Sequence, residues 1–167
     1  RVTIDTGTTP NPLEFRPKKP FTVMAWIYPR GSGADRCLVC YASGTSQGWA
    51  FEQNNTGLKF LVGCAAGPAS ANALYSLNQW SRVGMVYDSN NVDFYVNGTR
   101  DGTGPFTAGT GPCPEGDTAL YIGDMPGNSD FSGNVDDVVI YPTTFTAKDM
   151  MRDYNQFRGT RYYTDDQ

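Results

Sequence analysis

A chain of 167 residues with a formal net charge of -4 and no Lys/Arg stripe does not fit a nucleic-acid binder, which must displace phosphate counterions with clustered cations. No stretch approaches the roughly 18 apolar residues of a membrane-spanning helix, and Arg1 opens the chain with no signal-peptide pattern, as expected of a mature protein or an excised domain. With 19 glycines, 11 prolines and few apolar runs at helical spacing, the composition predicts short strands joined by turns, an all-β chain folding as one domain over 1–167.

In chain order, Arg1 to Asp5 alternates apolar and polar residues and predicts a first strand that ends in the turn-rich Thr6 to Pro10. Leu13-Glu14-Phe15, hemmed in by Pro12, Pro17 and Pro20, is at most an edge strand. Phe21 to Tyr28 places Phe21, Val23, Ala25 and Ile27 on one face and Thr22, Met24, Trp26 and Tyr28 on the other, the pattern of a strand covered on both sides. Arg36 to Tyr41, Gly48 to Gln53 and Leu58 to Val62 predict a meander, followed by a glycine- and alanine-rich loop from Gly63 to Ala73. Arg82 to Tyr87 and Val92 to Val96 are further strands, and Asn97-Gly98 is a hairpin turn because both residues tolerate positive φ. Thr99 to Asp117 reads as a long loop, Ala119 to Gly123 as a strand. After Pro142, Thr146 is expected to cap a short C-terminal helix with Asp149 in capping-box position and Met150, Tyr154 and Phe157 on one side, before a polar tail at 158–167.

The strand within 131–145 sets two aspartates among apolar residues. Strict alternation places Asp136 with Val138 and Ile140, and Asp137 with Val135, Val139 and Tyr141, so one carboxylate falls on each apolar row. A carboxylate there must be paired, hydrogen-bonded or metal-bound. Cys37, Cys40, Cys64 and Cys113 fit two disulfides and an oxidising compartment better than a zinc site, since histidine is absent and only Cys37 and Cys40 have ligand-like spacing. Residues three apart in a strand face opposite sides, so Cys37 and Cys40 are expected to bond elsewhere rather than to each other; the sequence selects no pairing. Two sequons, Asn54-Asn55-Thr56 and Asn97-Gly98-Thr99, fit an extracellular surface.

The order Phe21-Thr22-Val23-Met24-Ala25-Trp26-Ile27-Tyr28-Pro29, Gln79-Trp80-Ser81-Arg82-Val83, Tyr87-Asp88, Phe94-Tyr95-Val96-Asn97-Gly98, Leu120-Tyr121-Ile122-Gly123-Asp124 and Phe131 to Tyr141 resembles a laminin-G-like domain of the concanavalin A-like lectin/glucanase superfamily over residues 1 to about 157. The resemblance implies a jelly-roll β-sandwich of two curved antiparallel sheets in a secreted or cell-surface protein. It also implies a structural calcium on Asp136, Asp5 and the carbonyl of Gly7 or Thr6, oxygen ligands that suit a hard cation; the alternative is an aspartate that caps a turn. The chain departs from the family after Trp80, where Ser81 and Arg82 replace the frequent histidines, and it lacks the paired acidic strand motif of the related glucanases.

A glycan-binding face drawn from Trp49, Tyr41, Tyr95, Trp80 and Arg82 would stack sugar C–H faces on rings while polar side chains take the hydroxyls. The competing reading is that these aromatics pack the two sheets, Trp26 and Trp80 above all. Arg82, Asp93 and Tyr95 have the parity of a non-core face and read either as a solvated salt bridge or as ligand contacts. For catalysis only Glu52 and Asp93 stand on central strands, and nothing ties them together; no histidine exists for a nucleophile's base. The expected function is a non-catalytic extracellular carbohydrate-binding module, the alternative a protein-binding adhesion module on the same fold, and the third a glycoside-active enzyme.

Overall fold

A computed structural model of the chain describes residues 2–4, 19–33, 35–42, 48–55, 57–62, 69–70, 75–101, 104–108, 119–125 and 130–158. Its strands are β1 (Val2–Ile4), β2 (Phe21–Pro29), β3 (Arg36–Ala42), β4 (Gly48–Asn54), β5 (Gly57–Val62), β6 (Ala69–Ser70), β7 (Ser81–Tyr87), β8 (Asn91–Val96), β9 (Thr99–Arg100), β10 (Phe106–Thr107), β11 (Ala119–Ile122) and β12 (Gly133–Tyr141), followed by helix α1 (Ala147–Arg158). Every strand with a clear period of two forms as expected. The short β6, β9 and β10 stand where only loop was expected, since two-residue ladders carry no periodicity of their own. Leu13-Glu14-Phe15 and the tail from residue 159 lie outside the described residues.

The strands build two antiparallel sheets, one in the order β1-β11-β3-β4-β5-β6 and the other β10-β8-β7-β2-β12 with β9 on β8. Between them Phe21, Val23, Ala25 and Ile27 of β2 meet Val39, Phe51, Leu58 and Phe60 of the first sheet and Val83, Met85 and Phe94 of the second. This is the jelly-roll sandwich. Asn97 and Gly98 turn the chain at φ 52° and 77°, as their tolerance of positive φ predicts.

Two β-bulges reverse two expectations. On β3, Cys37 lies opposite Glu52 while Val39 lies opposite Phe51, so Leu38 is an extra residue and the parity of the strand shifts. Cys37 and Cys40 then share the outer face, their Cα atoms 6.0 Å apart, and they are bonded to each other. Cys64 and Cys113 lie outside the described residues. On β12, the register jumps between Asp136 and Val139, with Asp137 at φ 45°. Val135, Val138 and Ile140 therefore pack on the sandwich core, while Val139 and Tyr141 pack on the opposite face. Neither aspartate enters an apolar row, and both are exposed. The inward placement of Asp136 with Val138 and Ile140 is corrected: the carboxylate lies on the outer face and accepts the N–H of Asp137 at 2.8 Å.

That outer face is covered by α1. Thr146 and Asp149 form the expected capping box: the Thr146 N–H donates to Asp149 Oδ2 at 3.0 Å and the Asp149 N–H to Thr146 Oγ1 at 3.3 Å. Met150 is buried against Gly84, where an added Cβ would come 2.5 Å from its methyl carbon, so the helix approaches the sheet only because position 84 has no side chain. Tyr154 lies on Trp26 with ring centroids 6.0 Å apart. Arg82 donates to both Asp153 oxygens, at 2.7 and 3.1 Å, and to the Asp137 carbonyl at 2.8 Å; Arg82 is 2% and Asp153 6% exposed.

Removing one member of such a pair strands a buried charge. Asp153→Ala is expected to lose about 3–5 kcal/mol and lower Tm by roughly 10 °C, whereas Arg82→Met with Asp153→Leu recovers most of that loss; thermal unfolding of the four proteins of the cycle checks it. The Thr146 hydroxyl, followed by its N–H, holds the Asp149 carboxyl below the usual carboxylate range. The sign follows from that depression: the stability advantage over Asp149→Asn is full above about pH 4 and is lost as the pH falls through the lower folded value. Tm measured against pH for the two proteins tests it.

Candidate functional site

The outer face of the second sheet consists of cross-strand rows. Val86, Thr22 and Tyr141 form one, Gly84, Met24 and Val139 the next, and Arg82, Trp26 and Asp136 the third. Tyr28 and Asn134 open a fourth row, and Trp80, one residue before β7, meets the Tyr28 ring at a centroid distance of 5.6 Å and an interplanar angle of 61°. Met150, Asp153 and Tyr154 of α1 sit on the second and third rows. Tyr28 and Trp80 remain half-buried and Asn134 exposed.

The surroundings of this fourth row are held by backbone bonds. The Arg30 N–H donates to the Ser132 carbonyl and the Asn78 N–H to the Pro29 carbonyl, each at 2.7 Å. Asn78 itself has φ 57°, which carries the chain round into Trp80. The exposed Arg30 guanidinium carbon stands 5.7 Å from the Tyr28 ring centroid. Two rings at an angle, flanked by a guanidinium and the amides of Gln79 and Asn134, offer apolar faces for sugar C–H groups and donors for hydroxyls.

Of the residues singled out in the sequence, Trp80 borders this row and the others are placed elsewhere. Trp49 and Tyr41 point between the sheets, Trp49 packing 5.0 Å from Phe21 and 6.4 Å from Tyr41 by ring centroids, so the packing reading holds for both. Arg82, Asp93 and Tyr95 do lie on a non-core face, as their parity predicts. There Tyr95 is buried with Met24, Val86 and Met150, Arg82 is held by Asp153, and Asp93 pairs with Arg100 at 2.6 Å. Burial first, then the nearby Asp93 carboxylate, pushes the Tyr95 hydroxyl above its ordinary range. Tyr28, Arg30 and Asn134 were missed; the signal available for Tyr28 was its parity with Trp26 on the face away from the core.

A groove of about 390 Å³ beside α1 is bordered by Tyr141, Phe145, Asp149, Arg152 and Asp153. Its charges are already engaged, Asp149 by Thr146 and by Arg152 at 3.4 Å, and Asp153 by Arg82. On the outer face of the first sheet, Glu52 is buried opposite Lys59 at 3.8 Å, and Lys59 also pairs with Asp35. Glu52 and Asp93 thus stand on opposite outer faces of the sandwich and do not form the carboxylate pair that glycoside hydrolysis requires. Among the described residues no three acidic, thiol or imidazole groups converge on a cation site, and Asp5 and Gly7 lie outside those residues. Asp136 is exposed, and its Oδ1 accepts the Asp137 N–H.

The fold agrees with comparisons against known proteins. A sequence comparison with curated proteins finds no match. Among solved structures, the chain is similar to botulinum neurotoxin type C, described as entering cells through interaction with two ganglioside molecules, with TM-score 0.65 and 18% identity over 89% of this chain and 38% of that one. It is similar to a SAP-like pentraxin of Limulus polyphemus, with TM-score 0.63 and 18% identity over 89% of this chain and 79% of the other. It is also similar to domain 4 of AbnA, an extracellular arabinanase of Geobacillus stearothermophilus solved with arabinotriose, with TM-score 0.60 and 16% identity over 81% and 66%. The chain spans well under half of the toxin chain it matches, and at these identities the likeness shows the fold. A laminin G family model described as the concanavalin A-like lectin/glucanases superfamily matches residues 3–150, and the chain belongs to that family.

Proposed function

We propose that the chain is a non-catalytic extracellular recognition module that binds carbohydrate on the row formed by Trp80, Tyr28 and Asn134. The observation that carries this reading is the pair of half-buried aromatic rings, Tyr28 and Trp80, set at 61° to each other beside the exposed Arg30. Supporting it, the Cys37–Cys40 disulfide suits an oxidising compartment, and no helix among the described residues is long and apolar enough to cross a membrane. Of the similar proteins, the neurotoxin depends on interaction with two ganglioside molecules for cell entry, and the arabinanase domain was solved in complex with arabinotriose.

A glycan array finds the ligand and two variants locate it. Trp80→Ala and Tyr28→Ala should each weaken binding at least about tenfold, roughly 1.4 kcal/mol, while Gln156→Ala, an exposed position that borders the groove beside α1, leaves it unchanged. An array silent at all concentrations moves the reading to a protein ligand on the same patch, which the half-exposed Leu77 would then join.

Calcium is a separate question for this chain. With Asp136 on the outer face, Asp136→Asn is expected to leave any calcium response of Tm unchanged in EDTA followed by calcium; a response abolished by that substitution would return Asp136 to the ligand set.

A further inference from the structure

Resting on the carbohydrate reading of this row, we infer that its ligand is an anionic glycan, with Arg30 receiving a carboxylate or sulfate carried on the sugar that stacks against Tyr28 and Trp80. Four other arginines are committed. Arg82 holds Asp153, Arg100 holds Asp93 at 2.6 Å, Arg152 faces Asp149 at 3.4 Å, and Arg36 donates to the Asp130 carbonyl at 2.7 Å. Arg30 makes neither an ion pair nor a side-chain hydrogen bond with any described residue, although the chain carries a net charge of -4.

Its position is nonetheless fixed. The backbone N–H is bonded to Ser132, the preceding Pro29 is buried at the end of β2, and the guanidinium is held over the Tyr28 ring. A guanidinium stacked on a ring keeps its edge donors available, and their fork matches the two oxygens of a carboxylate or sulfate. The carboxylate nearest in the sheet, Asp136, lies one row away on β12 and its Oδ1 is engaged by the Asp137 N–H. The row Trp80, Tyr28 and Asn134 contains no acidic residue of its own. Within the row, an anion set beside a stacked sugar therefore meets the Arg30 charge and no carboxylate.

The test uses the whole chain and matched glycan pairs that differ only in the anionic group: uronic-acid oligomers against their carboxyl-reduced forms, sialylated glycans against asialo forms, and sulfated against desulfated oligomers. Wild type should prefer the anionic member of at least one pair by about tenfold, the preference should shrink with added salt, and the pair that shows it separates carboxylate from sulfate. Arg30→Gln should abolish the preference while keeping the binding of the neutral member, and Arg30→Lys should restore it only in part. Equal binding of both members, lost in Trp80→Ala, overturns the anionic assignment and leaves the carbohydrate reading standing. No glycan bound by wild type overturns both.

Discussion

The buried ion pair between Arg82 and Asp153 is the interaction on which the outer face of the second sheet depends. A guanidinium on a central strand cannot be left alone under a helix, because an unpaired buried charge costs several kcal/mol. Asp153 supplies two oxygens and the bulge at Asp137 turns a third, its carbonyl, toward the same guanidinium. Gly84 allows the helix to come close enough for these bonds, with Met150 filling the space above it. The pair and the glycine fix where α1 lies, and its position decides which rings of the sheet are sealed and which remain at the surface.

Two residues that break the rhythm of their strands account for most of what the sequence hides. Alternation is a correct rule for β2 and β8, whose inward and outward sets appear as expected. It fails at Leu38 and at Asp136-Asp137 because an added residue changes the parity of everything beyond it, and nothing in composition marks the added residue. For the cysteines, the shift brings together two thiols that parity separates. For the aspartates, it resolves the apparent problem of charge on an apolar row: the pair forms the bulge itself, facing solvent and offering a carbonyl to Arg82. The hairpin at Asn97-Gly98 and the cap at Thr146 were legible because they are read from single residues and short fixed offsets.

The candidate site was less legible than the fold. The non-core parity of Arg82, Asp93 and Tyr95 holds, but parity does not say that a helix from the far end of the chain will cover that face. Trp49 sits opposite Tyr41 and Val62, and only the closure of the sandwich over their row tells a core tryptophan from a surface one. Trp80 belongs to an architectural motif and also stands at its margin, where packing and recognition use the same ring. The fold positions that margin: β2 and β12 carry a further row past the one on which Asp153 and Tyr154 sit, and the loop through Asn78 returns Trp80 to meet Tyr28.

The direct measurement is an NMR titration of the isotope-labelled chain with an oligosaccharide it binds. Perturbations centred on the Trp80 indole, the Tyr28 ring and the Arg30 and Asn134 amides are the predicted result. Perturbations centred on the outer face of the first sheet around Glu52 and Lys59, with Trp80 and Tyr28 silent, would contradict the account.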